Sequence, residues 1–163
     1  AHCPFSNMKL SSGVAKIPQM LELGVPVGRA VERSASNDGS NLLEEMRVAY
    51  LLHRLNWSQK APNGYDFLKM DTRGSASILG RKELGQIAEG MAADFFMIDL
   101  NRLELVGAQY DVKSMLCTVG LKGSVDYTVV NGKIVVKEGQ LTGVEEALVI
   151  EKANASVDAY LNH

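Results

Sequence analysis

The chain has 163 residues, 46% of them apolar and 22% charged, with a formal net charge of −2. That length suffices for one substantial domain or two small ones with a real core. The near-neutral balance gives no footprint for nucleic acid or an anionic surface, and the apolar runs 95–98 and 147–150 fall far short of the roughly 20 residues a membrane span needs. Two cysteines, Cys3 and Cys117, lack CxxC spacing and point to a reducing, cytoplasmic setting.

Along the chain, Ala1-His2-Cys3-Pro4 carries no basic n-region or apolar h-region and reads as the interior of something longer. Residues 18–23 predict a short helix with Pro18 in its first turn and Gly24 just past its end. Residues 25–31, rich in valine, predict a strand leading into the polar loop 32–40. The clearest helix follows. Leu42, Leu43, Met46, Ala49, Tyr50 and Leu52 recur at helical spacing with Glu44, Glu45, Arg47 and Arg54 between them. Asn41 is placed to cap that helix, and Glu44 to reach back to it.

After a loop containing Pro62 and Asn63-Gly64, residues 66–79 predict another helix ended by Gly80, with Gly74 an unfavourable residue in its interior. From Gly85 the pattern turns extended, around 95–100 and then 125–130 and 133–137, the last two joined by Asn131-Gly132 as a type I′ hairpin. An amphipathic helix is expected over 144–161. This divides the chain into an α/β part at 1–80, a β-rich part at 81–143 and a terminal helix at 144–163.

Glu32 stands where the predicted strand 25–31 ends, the position from which α/β barrels draw their catalytic loops. By spacing it is either a ligand or base, or a solvated carboxylate paired with Arg33 or Arg29. His2, Cys3 and Asn7 bring an imidazole, a thiol and an amide within one short segment, but metal sites use three or four ligands. The other histidines, His53 and His163, form no HxH or HExxH cluster. Cys3 reads as a small buried hydrophobe. No GxSxG elbow, GxGxxG or P-loop occurs.

Three ordered segments carry a resemblance. His2-Cys3-Pro4-x-Ser6-Asn7-Met8-Lys9-Leu10-x-Ser12-Gly13, then Gly24-Val25-x-Val27-Gly28, then Ser34-Ala35-Ser36-Asn37-Asp38-x-Ser40-Asn41-Leu42-Leu43-Glu44-Glu45-Met46-Arg47 resemble the deaminase and chlorohydrolase branch of the amidohydrolase superfamily, with 8-oxoguanine deaminases the nearest likeness. The stretches 85–95 and 129–136 look like those that return such chains to a small β-sandwich beside the barrel.

The resemblance implies a fold: the last strands and helices of a metal-dependent hydrolase (β/α)8 barrel, incomplete as a barrel, plus part of the flanking sandwich. It implies hydrolysis of a C–N or C–Cl bond on a purine, pyrimidine or triazine-like ring, by water activated on one divalent metal, zinc or iron. The HxH pair and the later histidine of that centre have no counterpart here, so the isolated chain is expected to be inactive. The family's Asp position falls on Glu32, in Val31-Glu32-Arg33-Ser34 where the family reads Val-Asp-Gly-Ser, making Glu32 the candidate catalytic carboxylate and metal ligand. His2, Asn7, Ser34 and Asn37 are the candidate substrate-binding or loop-bracing residues. Implied partners are a small heterocycle and either a second copy or a missing amino-terminal barrel segment. The alternative is a non-catalytic scaffold or interaction module derived from a truncated amidohydrolase.

Overall fold

The computed structural model describes residues 1–32 and 36–162. The chain forms two compact units, Ala1–Ala92 with Asp99–Gly123, and Ala93–Ile98 with the chain from Ser124 onward. The segment 99–123, inside the stretch read as β-rich, makes two 3-10 turns and a short helix and belongs to the first unit.

In the first unit, α1 (Pro4–Lys9) opens on a proline, whose fixed φ suits a first turn. α2 (Ile17–Glu22) starts one residue before the expectation, and Gly24 follows with φ +69°. The predicted strand 25–31 is corrected. It is extended, but among the described residues its only bridge joins Arg29 to His2 in parallel, through His2 N–H to Gly28 O at 2.9 Å and Ala30 N–H to His2 O at 3.3 Å. Two causes are local: Val25 N–H turns back to Met20 O at 2.9 Å, and Pro26 has no N–H to offer a ladder.

α3 (Leu42–Trp57) is capped by Asn41, whose side chain accepts from Leu43 N and Glu44 N at 3.0 and 3.4 Å. Its buried face is Glu45, Met46, Ala49 and His53, which keeps Met46 and Ala49 of the expected apolar stripe and adds two polar residues. Leu42 is exposed. The reciprocal capping box occurs at α4 (Gly64–Lys69), between Asn63 and Asp66. A π-helical turn, Met70–Gly74, leads from there into α5 (Ser75–Ile78). Gly80, with φ +68°, ends the run as expected.

Gly74 sits in this helix because nothing larger fits. A Cβ there would lie 2.1 Å from Val27 O, and one on Gly28 would meet Ser75 Cα at 2.8 Å. The two glycines let helix and extended segment touch backbone to backbone. α6 (Met115–Thr118) packs on α3, and the apolar core joins Ile17, Met46, Ala49, Phe67, Leu105 and Cys117.

The second unit is an antiparallel sheet in the order β1 (Phe95–Met97), β2 (Tyr127–Val130), β3 (Lys133–Lys137), β4 (Gln140–Leu141). Asn131 and Gly132 have φ +48° and +76°, as a two-residue type I′ turn requires. A bulge shifts the register between Thr128 and Val129. α7 (Glu146–Leu161) closes the chain near the expected place, with every residue exposed. Among the described residues no helix is long and apolar enough to cross a membrane.

Candidate functional site

The bridge between His2 and Arg29 sets two chain segments side by side and parallel. The residues that follow each, 3–7 and 30–32, therefore emerge at the same end, as successive strands of an α/β barrel present their loops. This is where the sequence placed its candidates.

Glu32 is exposed and lies against Cys3, whose thiol is pushed up first by burial and then by the Glu32 carboxylate. Ser34, like Arg33, lies outside the described residues. Asn7 is half-buried in α1, its N–H donating to Cys3 O at 3.0 Å. No group of three His, Cys, Asp or Glu side chains among the described residues is placed to hold a metal. Glu32 can offer one oxygen of a ligand set, but the described residues do not complete one.

His2 is buried, with its Nε2 3.1 Å from the Nε2 of His53. The His53 ring stacks on Trp57 and Phe67, at centroid separations of 4.9 and 5.7 Å. Burial lowers the pKa of both histidines to about 4, and for His2 the neighbouring His53 and Arg29 lower it further. Both rings are therefore neutral at physiological pH, one donating to the other. His2 is thus held by α3.

Asn37 is buried and its amide is spoken for at both ends. The NH2 group donates to Glu45 Oε1, while Oδ1 accepts from Gly39 N and Ser40 N at 3.1 and 3.3 Å. Glu45 is wholly buried, and its other oxygen accepts Phe5 N–H at 3.1 Å. Burial raises the Glu45 pKa, against the pull of the Phe5, Arg29 and Asn37 groups. Across the exposed side, Lys9 on α1 pairs with Asp38 at 2.7 Å.

Beneath lies a buried ion pair. Arg29 binds Asp71 through two nitrogens and reaches Leu42 O at 3.4 Å. Burial pushes the Asp71 carboxyl up to about 6, although Arg29 pulls the other way. The sequence reading missed Glu45, His53 and Asp71 as partners and treated Arg29 only as a possible mate for Glu32. A signal was present: Glu45 and His53 are two turns apart with Ala49 between, a polar pair on one stripe of a helix.

Residues 1–135 match the Amidohydrolase family model, and the chain belongs to that family. It is 48% identical over 149 residues to hydroxydechloroatrazine ethylaminohydrolase of Pseudomonas sp. (strain ADP), covering 90% of this chain and 31% of that protein. With the 8-oxoguanine deaminase of Pseudomonas aeruginosa it shares 34% identity over 160 residues, covering 98% of this chain and 35% of the relative. The fold matches the atrazine chlorohydrolase from Arthrobacter aurescens TC1 complexed with zinc, at TM-score 0.89 and 34% identity, covering 94% of this chain and 34% of that one. It also matches an adenosine deaminase from Xanthomonas campestris with bound zinc, at TM-score 0.91 and 26% identity, over 99% of this chain and 37% of that one. The relatives are hydrolytic deaminases and chlorohydrolases, and the chain spans about a third of their length.

Proposed function

We propose that the chain forms the carboxy-terminal part of a metal-dependent hydrolase that replaces an amino, alkylamino or chloro substituent on a nitrogen heterocycle with hydroxyl. Purine and triazine rings are the substrate class by likeness to relatives named for such rings, with pyrimidines included as rings open to the same chemistry. The observation that carries this reading is the parallel bridge of His2 with Arg29. It supports successive strands of a (β/α)8 barrel with Glu32 on the loop end, where such enzymes keep their chemistry.

In this reading Glu32 supplies one carboxylate to a divalent metal, zinc or iron, and the remaining ligands belong to an upstream segment. The described residues do not complete the metal's ligand set, so this chain's own part there is limited to Glu32. Asn7 is assigned to substrate contact at the loop end, Ser34 is carried only by the family motif, and His2 and Asn37 serve the site from beneath by bonding to α3. The chain alone is inactive. Among the described residues the extended segment 25–31 has one bridge partner, and Val25 is 44% exposed, so an upstream barrel segment or a second copy covers it. With both cysteines free, the cytoplasm suits the protein.

One observation favours a second reading, a non-catalytic scaffold: the Asn37 amide and His2 Nε2 are taken up by internal partners. Co-expression with the amino-terminal two-thirds of the Pseudomonas ethylaminohydrolase separates the two. Release of ammonia, alkylamine or chloride from a panel of purines, pyrimidines and triazines is expected from the complex and not from either part. A stable complex with no turnover on any ring supports the scaffold.

A further inference from the structure

We infer that Glu45 is a positioning residue, whose buried carboxylate clamps together the two segments that bear the candidate site, the start of α1 and the loop 36–40. Where Glu32 is taken as a site residue, the inference rests on the proposed function; the clamp itself does not.

The geometry is specific. One Glu45 oxygen accepts Phe5 N–H, forty residues away in sequence, and the other accepts the Asn37 amide. The far end of that amide accepts two backbone N–H groups, of Gly39 and Ser40. These two donors fix which atom of the amide is oxygen, since its nitrogen has no lone pair to offer them. Donor and acceptor roles therefore run in one sense through the chain of bonds, from loop backbone to Asn37 to Glu45, with Phe5 entering from the other side. Glu45 is rooted in the first turns of α3, whose cap is intact, and is fully buried. A carboxylate so placed must be met by donors or destabilise its surroundings. The segments it holds are the one that carries Cys3 and Asn7 and the one that carries Asn37.

This polarity can be reversed. In Glu45→Gln only one of the two side-chain atoms can accept, so the new NH2 faces either the Phe5 N–H or the Asn37 NH2. If Asn37 flips to relieve the latter, its NH2 faces the donors of Gly39 and Ser40. In Asn37→Asp two carboxylates face each other. In the double variant, Glu45→Gln with Asn37→Asp, the amide introduced at position 45 donates to the carboxylate introduced at position 37. Its oxygen still accepts Phe5 N–H, and the new carboxylate remains free to accept both loop amides.

The two cysteines report the outcome in the 163-residue chain itself. Cys3 is half-buried two residues from Phe5, whereas Cys117 is wholly buried in the core, so an alkylating reagent reads local opening at the first and global opening at the second. For Glu45→Gln and Asn37→Asp, Cys3 labelling is expected to rise roughly tenfold or more, with Cys117 unchanged, because a buried group loses its partner. The double variant is expected to return to within about threefold of the parent, as a matched pair should. Equal acceleration at both cysteines would reduce Glu45 to a general stabiliser and overturn the inference. So would no change at Cys3, or a double variant no better than the singles. If a single variant does not fold, Asn37→Ala, which retains the Phe5 bond, replaces it under the same criteria. No part of the test depends on turnover, so it stands if the proposed function fails.

Discussion

In the first unit, Arg29, Glu45, His53 and Asp71 are packed out of water among helices, each against a partner distant in sequence. In the second, every residue of α7 is exposed, and the sheet leaves Phe96, Met97, Ile134 and Leu141 each at least 40% open. The first unit is held by a few specific polar pairs, so losing one partner strands the other where water cannot replace it. The second is held by a turn and by backbone strand pairing, which forgives side-chain changes.

The largest expected effect is that of Arg29→Ala, which leaves Asp71 buried without its cation. A loss of about 3–5 kcal/mol is expected for such a change, read as an early denaturant transition of the first unit, whereas replacing both partners by apolar residues should cost far less.

Acid comes next. His2 and His53 are lowered from 6.5 to about 4 in the fold, so the unfolded chain takes up their protons first. The stability they provide is complete above about pH 6.5 and declines as pH falls toward 4, by on the order of 3 kcal/mol per histidine at the limit. Asp71 acts in the opposite sense. Its pKa is raised to about 6 from 3.8, so the folded state gains a proton there first and the loss is shallower than two histidines alone produce. Denaturant titrations between about pH 7 and 4 should show the first unit weakening, and Asp71→Asn should steepen that dependence.

Smaller again is Gly74→Ala, at about 1–3 kcal/mol for forcing a methyl against packed backbone. Gly132→Ala in the hairpin turn meets only open space, and its φ of +76° sets a cost of about 1 kcal/mol. Thermal melts of the two variants would rank them. The smallest effect is expected from Leu148→Ala or Ile150→Ala in α7, within about 0.5 kcal/mol. A loss of several kcal/mol there would break the contrast between the units.

The elements most legible in the sequence are those whose causes are local. Asn41 caps α3, Gly80 ends α5, and Asn131-Gly132 makes its hairpin, because each acts on backbone atoms within a few residues. What was not legible depends on contacts across the chain. Gly74 looked like a flaw in a helix until Val27 O was found against it. The apolar stripe of α3 was legible at Met46 and Ala49, while the buried face also takes in Glu45 and His53, whose partners Asn37 and His2 are paired across a loop and across 51 residues. The strand 25–31 was legible as extended chain, but its pairing depends on neighbours that local patterns do not name. The same holds for the site. Family motifs pointed to the segments that the His2–Arg29 bridge sets side by side, and the structure shows His2 and Asn37 holding those segments together.

The most direct test of a site shared between this chain and an upstream segment is zinc content after exhaustive dialysis, measured for the purified chain, for its complex with the amino-terminal two-thirds of the Pseudomonas relative, and for the same complex carrying Glu32→Ala. Near-zero zinc in the chain alone, about one ion per complex and a marked loss in the variant are expected. Stoichiometric zinc in the chain alone, or full zinc in the Glu32→Ala complex, would contradict it.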